Sequence, residues 1–308
     1  MWTYFHLIAF ATNLTTNLTS LFYHCCIFQK CFHAVDIIRK DDEYSGAPIQ
    51  PLVMDVSNLK SVKQASKTIM QQHDKLDMLF LNAGVSFVYE LNEEDPSTLP
   101  TSNDGIELVF ATNVVGHHLL YRLLEPLLKA SSLARVVSTS SLASIAWLPF
   151  DRSDKATLIP STLEELNSGR PSLWMSHVLY GRSKLGQVAW SNALTRRLGK
   201  QSTIYVNSAT PGAASSEMTL TKNIPTILPQ FIKNAIYHAS RQVMWSSEEG
   251  ALTELYLGVA TEDLKSNNTR GKYFHPQAVE IDHPHAYDEV LQDNVWNLCE
   301  ELVKDYLI

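Results

Sequence analysis

The chain has no glycine before Gly46. A glycine-rich phosphate-binding loop is therefore excluded from its first forty-five residues. Positive charge is also short, with 25 Lys and Arg against 32 Asp and Glu and a formal net charge of −7. Nucleic acid is thereby excluded as the main partner, because phosphate binding needs clustered Lys and Arg. No 18-residue apolar run occurs, so no membrane span is expected. The four cysteines, Cys25, Cys26, Cys31 and Cys299, do not form a disulfide framework, and a reducing, cytoplasmic compartment is the expectation. His24, Cys25, Cys26, Cys31 and His33 lack paired-knuckle spacing, and His283-Pro284-His285 reads as a solvated C-terminal loop, so no metal is expected. The apolar run Trp2–Ala11 has no basic flank before it, which makes it a poor secretory signal.

What remains is an ordinary globular composition, 308 residues with 45% hydrophobic and 19% charged. Beyond residue 28 it alternates. Gln29–Lys40 reads as a helix and Ile49–Met54 as a buried strand ending in Asp55-Val56; Ser57 then caps a helix from Leu59 to His73. Leu76–Leu81 is a second apolar strand running into Asn82-Ala83-Gly84, and a helix from Gly105 to Ala130 follows. Ala134–Ser138 and Thr203–Ala209 are further strands, separated by a helix that ends near Leu198; Ser161–Asn167 is a short helix before it. Strands separated by helices of this length predict βα units and a parallel sheet. Ligands bind such sheets at the carboxyl ends of the strands. Asp55, Asn82, Ser141 and Pro211 each fall just beyond one. Without repeats or linkers, 29–308 is read as one domain and 1–28 as an atypical N-terminal segment.

Tyr180 and Lys184 stand four residues apart, one helical turn, and so share a face. An ammonium beside a phenol favours the phenolate, which suits the pair to proton transfer at a carbonyl or hydroxyl oxygen. Alone, the same pair equally suits an amphipathic surface.

Six motifs occur in order: Asp55-Val56, Leu81-Asn82-Ala83-Gly84, Asn113-Val114-Val115-Gly116-His117, Ser138-Thr139-Ser140-Ser141, Tyr180-x-x-x-Lys184 and Pro211-Gly212. Together they resemble the short-chain dehydrogenase/reductase family. Asp104-Gly105-Ile106-Glu107 and Gly271-Lys272-Tyr273-Phe274 resemble its retinol-dehydrogenase-like and WW-domain-oxidoreductase-like branch. The resemblance implies a Rossmann-like, doubly wound α/β fold. It also implies an NAD- or NADP-dependent oxidoreductase interconverting a carbonyl and an alcohol, with NADP preferred from the branch alone. By the same resemblance Tyr180 is the general acid or base, Lys184 lowers its pKa and holds ribose hydroxyls, Ser141 hydrogen-bonds the substrate oxygen, and Asn113 perturbs its helix and holds a water leading to Lys184. Asp55 and Val56 would meet the adenine, Asn82, Ala83 and Gly84 its ribose, and Pro211, Gly212, Ala213 and Ser216 the nicotinamide side. Trp147, Pro149 and Phe150 lie between Ser141 and Tyr180; in the family the apolar segment Thr219–Tyr237 covers the substrate, which implies a small lipophilic one of retinoid or steroid type, while the same pattern equally suits an amphipathic helix or a dimer contact. A homo-oligomer and peripheral membrane association stay open.

The sequence departs from the family at its start. The family opens with a strand and a glycine-rich loop that holds the pyrophosphate on a helix N-terminus. Here that strand, loop and helix are absent, and the strand's place is central in the family sheet. Residues 1–28 are expected to be either a misassigned start or a filler of the vacancy, with Trp2–Phe10 as a replacement strand. The alternative function is a catalytically inactive, truncated family member acting as a binding protein.

Overall fold

In a computed structural model, residues 10–11, 21–25, 32, 35–36, 49–86, 97–146, 158–212 and 244–308 are described. Eight strands form one sheet: β1 (Phe10–Ala11), β2 (Leu21–Cys25), β3 (Ile49–Val53), β4 (Met78–Leu81), β5 (Ala134–Thr139), β6 (Ile204–Ala209), β7 (Tyr273–His275) and β8 (Val279–Ile281). Their spatial order is β3-β2-β1-β4-β5-β6-β7-β8. The β2–β3, β4–β5, β5–β6 and β6–β7 pairs are parallel, as the alternation with helices requires. The helices are α1 (Leu59–Gln72), α2 (Gly116–Ala130), α3 (Ala143–Ala146), α4 (Leu163–Leu166), α5 (Leu173–Leu198), α6 (Ser247–Val259), α7 (Thr261–Ser266) and α8 (Glu289–Val303). This is the doubly wound Rossmann-like sheet expected, altered at its N-terminal edge of sequence.

The alteration sits at the centre of the sheet. β1 runs antiparallel to both neighbours, pairing Phe10 with Leu79 and Ala11 with Met78 on one side and Ala11 with Leu21 on the other. Two residues thus occupy the slot between β2 and β4, where the family resemblance puts a full parallel strand. Of the expected replacement strand Trp2–Phe10 only Phe10 is among the described residues, and of the helix Gln29–Lys40 only Phe32, Val35 and Asp36, all helical.

Strand side chains alternate between faces, and each face carries its own helices. Leu79, Leu81, Val136 and Val206 pack with α1, α2, α5 and α8 in the main core. Met78, Phe80, Val137 and Ala209 pack on the other side with Leu257 of α6 and Leu264 of α7. Gly116 permits the closest approach on the first face: a Cβ there would lie 2.0 Å from the Val56 carbonyl oxygen. The α1 cap differs from expectation. Asn58 accepts from the Ser61 amide at 3.1 Å, while the Ser57 hydroxyl is spent on Asp55 Oδ1 at 2.7 Å, one step too early to cap.

Buried His118 joins three helices. Its Nδ1 accepts from Trp190 Nε1 of α5 at 2.9 Å, and its Nε2 lies 2.9 Å from Glu300 Oε1 of α8, which Arg122 also grips. Burial acts to raise the Glu300 carboxyl, yet the His118 and Arg122 contacts win and draw it down to about 2. A carboxyl depressed in the folded state stabilises above its unfolded pKa, and that contribution is lost as pH falls toward about 2. Glu300→Gln is therefore expected to cost about 2 kcal/mol at pH 7. Denaturant titrations should show the gap from wild type closing as pH falls from 4.5 toward 2.

Candidate active site

The carboxyl ends of β4, β5 and β6 open onto one region. Asn82 follows β4, Ser140 and Ser141 follow β5, and Pro211 and Gly212 follow β6. Above them runs α5, capped by Ser172, whose side chain accepts from the Met175 amide at 3.0 Å. Its buried polar stripe carries Tyr180, Ser183, Lys184 and Gln187.

Asn113 lies in a π-helical turn, Ala111–Val115, between a helical turn at Leu108–Phe110 and α2. A residue is added to the turn there, the helix widens, and the carboxamide is left free to act as a backbone surrogate. Its Oδ1 accepts from the Val85 amide at 2.7 Å, and its Nδ2 donates to the Val85 carbonyl at 3.0 Å and to Ser183 Oγ at 2.8 Å. Fully buried, Asn113 thus ties the segment after β4 to α5. Gly84 lies under it: a Cβ at Gly84 would come 3.3 Å from Asn113 Oδ1 and 3.4 Å from Lys184 Nζ.

Lys184 is 3% exposed. Its Nζ donates to the Thr139 carbonyl at 2.9 Å and to Gln187 Oε1 at 2.8 Å, and stands 5.5 Å from the centre of the Tyr180 ring. Burial lowers the ammonium's pKa, and Glu254 opposes that shift. Ser140 is turned away from the opening, its hydroxyl donating to the Lys184 carbonyl at 2.8 Å. Ser141 is half-buried and shares a hydrogen bond with the Tyr180 hydroxyl. Tyr180 packs among Val85, Val109 and Ala143. Its phenol is pushed up to about 12, by burial first and the neighbouring Tyr273 hydroxyl as well, against the Ser141 hydrogen bond. Burial of the phenol is the dominant influence on it.

Asn113, Ser141, Tyr180, Lys184 and Gly84 are brought together, with Ala83 fully buried below. Asn82 follows directly after β4. Asp55 is exposed at the β3 end, its Oδ1 taken by the Ser57 amide at 2.9 Å and the Ser57 hydroxyl. Val56 is buried against Gly116. Gly212 adopts a φ of 71°, a conformation glycine takes without strain, and holds Pro276 and Trp245 close. Ala213, Ser216, Thr219–Tyr237, Trp147, Pro149 and Phe150 lie outside the described residues.

Several neighbours escaped the sequence reading. Thr139 and Gln187 hold the lysine, Glu254 faces it from α6, and Tyr273 of β7 faces Ser140, Ser144 and Thr210. His283 is the clearest difference. It is buried, with Nε2 3.1 Å from Ser144 Oγ and its ring 5.2 Å from that of Tyr273. The expected solvated loop is instead a prop behind the Ser141–Ser144 turn. No group of three or more metal-ligating side chains occurs among the described residues.

A doubly wound sheet with a Tyr-Lys pair at its carboxyl edge defines an oxidoreductase of the Rossmann type. The family model described as short chain dehydrogenase matches residues 14–150. The chain is 30% identical over 273 residues to short-chain dehydrogenase TIC 32 A, chloroplastic, of Brassica napus, covering 85% of this chain and 74% of that protein. It is 29% identical over 280 residues to retinol dehydrogenase 13 of Homo sapiens, covering 91% and 75%. The fold is shared with NADPH-bound carbonyl reductase from chicken fatty liver, at a TM-score of 0.53 and 17% identity over 85% of this chain and 87% of that one. The chain belongs to the short-chain dehydrogenase/reductase family, in its retinol-dehydrogenase-like branch.

Asn113→Ala would strand the Val85 amide and carbonyl in the interior and leave the Ser183 hydroxyl only its bond to the Tyr180 carbonyl. A loss of about 3 kcal/mol is expected from stranded buried groups of this kind, read by thermal or urea unfolding. Ser183→Ala, which removes a single partner, should cost about 1 kcal/mol.

Proposed function

We propose that the chain is an NAD(P)-dependent oxidoreductase interconverting a carbonyl and an alcohol on a small lipophilic substrate. The observation that carries this reading is the convergence of Tyr180, Ser141, Lys184 and Asn113 at the carboxyl ends of β4 and β5. In it, the Tyr180 hydroxyl transfers a proton to the substrate oxygen, and Ser141 donates a hydrogen bond to that oxygen as charge develops there. Lys184 keeps one of its three N–H bonds beyond those given to Thr139 and Gln187, and would offer it to a ribose hydroxyl. A nicotinamide nucleotide, when bound, supplies the hydride.

The residues present fit the nicotinamide and ribose end of such a cofactor. The support for this is the Lys184 ammonium beside Tyr180 with one N–H left to offer a ribose hydroxyl. The pyrophosphate end is different: β1 and β2 are joined without a glycine, so its phosphates would be held by other means. That observation favours the second reading, an inactive family member that binds without turnover. The lipophilic substrate and the NADP preference rest on family resemblance, and a homo-oligomer or membrane-surface association is compatible with either reading. Among the described residues no helix is long and apolar enough to cross a membrane.

Titration of the full chain with NADPH and NADH, followed by tryptophan fluorescence, separates the two readings. Micromolar binding with turnover of an aromatic or long-chain aldehyde supports the oxidoreductase; a folded chain that binds neither nucleotide overturns it. In the active case Tyr180→Phe is expected to lower kcat by about 10²–10⁴-fold with cofactor affinity unchanged. The Tyr180 phenol, pushed up to about 12, is fully protonated at neutral pH and ready to act as an acid. Carbonyl reduction is therefore expected to owe none of its pH dependence near neutrality to Tyr180 itself. Alcohol oxidation, which needs the phenolate, should rise with pH across the accessible alkaline range, as initial rates in both directions would show.

A further inference from the structure

Glu254 is the one carboxylate described as facing the buried lysine, and no motif accounts for it. Its helix α6 is fixed in rotation by the sheet. Leu257 is buried against Met78, Phe80 and Val137, and Gly258 lets the Phe80 ring sit where a Cβ would be 2.3 Å from Phe80 Cζ. The Gly258 carbonyl accepts from Arg135 Nε at 2.7 Å. At the other end of the same stripe the Thr253 hydroxyl donates to the His275 carbonyl at 3.2 Å and accepts from the Ala278 amide at 3.2 Å. Glu254 is three and four residues before Leu257 and Gly258, hence on the face those residues press to the sheet. Its carboxylate is delivered to the end of β5, where it accepts a hydrogen bond from the Thr139 side chain. Its Oε1 is sealed from solvent and has no hydrogen-bond partner among the described residues.

Thr139 thus has a charge of each sign attached to it, Glu254 on its hydroxyl and Lys184 on its carbonyl. Burial pushes the Glu254 carboxyl up to about 7, while the Thr139 hydrogen bond and Lys184 act to lower it; its charged form, with an unfilled lone pair on the sealed oxygen, is costly unless a cation compensates it. Lys184 is that cation, attracted to Glu254 across Thr139. Among the described residues, the other titratable groups around the Lys184–Tyr180 pair are Tyr180 itself from α5 and Tyr273 from β7, neither of which supplies a positive charge; Arg135 lies at the far end of β5.

We propose that Glu254 is a positioning residue for the Tyr180–Lys184 pair, a buried counter-carboxylate that keeps Lys184 in its ammonium form and aligned behind Tyr180. The inference rests on the reading of Tyr180 and Lys184 as the proton-transfer pair. Burial alone would strip the lysine of its proton, and Glu254 acts in the opposite sense. Without it the neutral amine predominates to lower pH, and both the charge beside Tyr180 and the donor toward a ribose hydroxyl are weakened.

The test is direct titration of Lys184 in the full chain carrying [ε-13C]lysine, with its NMR signal assigned by loss in Lys184→Met. In Glu254→Gln the lysine is expected to lose its proton about one pH unit lower, a tenfold weaker proton affinity, with unfolding temperature near that of wild type. Glu254→Asp, which keeps the charge at shorter reach, should fall between the two. Should Glu254→Gln not fold, Thr139→Val frees the carboxylate from its anchor and is expected to shift the lysine in the same direction by less. An unmoved lysine titration in Glu254→Gln, or in Thr139→Val when that is the variant available, overturns the proposal. In an active chain the kcat–pH profile should shift with the lysine while KM for the carbonyl substrate stays constant. A chain that fails to bind NADPH sinks the oxidoreductase reading alone, since the lysine titration reads the pair without cofactor or turnover.

Discussion

The burial of the Lys184 ammonium is the constraint to which the surrounding structure answers. A cation taken out of water needs acceptors in fixed positions, and a parallel sheet provides them at its carboxyl edge, where strands end with carbonyls unused. Lys184 takes the Thr139 carbonyl and borrows Gln187 from the next turn of its own helix. The neighbours then have little freedom. A Cβ at Gly84 would press on the Asn113 carboxamide at 3.3 Å, and Asn113 leaves the helical ladder to close off Val85 beside it. The π turn at Ala111–Val115 is the local cost of that closure, offset by three buried hydrogen bonds.

The same edge shows how the sheet tolerates its unusual centre. β4 is buried on both faces, and its ladder with β5 runs in register from Met78–Arg135 to Leu81–Ser138. Asn113, Ser141, Tyr180 and Lys184 are placed by the segments after β4 and β5 and by α5. The altered strand pairs with β4 on one side and with β2 on the other, and β3 lies beyond β2. Asp55 and Val56 stand on that side, and Val56 is fixed not by β1 but by the close approach of Gly116. Family fold and site geometry can therefore coexist with a changed nucleotide entrance.

Sequence patterns carried the fold well wherever local rules decide it. Apolar strands ending in Asp55, Asn82, Ser140 and Pro211 and the long helix bearing Tyr180 all lie within a few residues of their expected bounds, because strand hydrophobicity and capping are local properties. Asn113 was legible by motif, yet its partners Val85 and Ser183 lie 28 and 70 residues away and have no periodic signature. His283 was misread for the same reason. A His-Pro-His near a polar C-terminal stretch looks solvated until β7 and the Ser144 turn are seen to cover it. The Ser57 cap failed by one residue because Asp55 competes for the same hydroxyl, a side-chain pairing that cap preferences do not include.

Electrostatics was the least legible part, and the reason is general. Spacing along a helix tells which charges are neighbours, whereas solvent exclusion decides which of them survive as charges. Read from spacing, Lys184 should draw the Tyr180 proton off; in the folded chain both groups are buried, and each is pushed toward its neutral form. The phenol is thereby held neutral and the ammonium weakened. That balance is open to adjustment from outside the helix, since any fixed negative charge near Lys184 restores the ammonium and, through it, pulls on the phenol. Burial, Ser141 after β5 and Tyr273 on β7 act on Tyr180, and burial and Glu254 on α6 act on Lys184; none of these groups shares a sequence neighbourhood with the Tyr-Lys motif, which is why the motif alone identifies the pair and leaves its working pH undetermined.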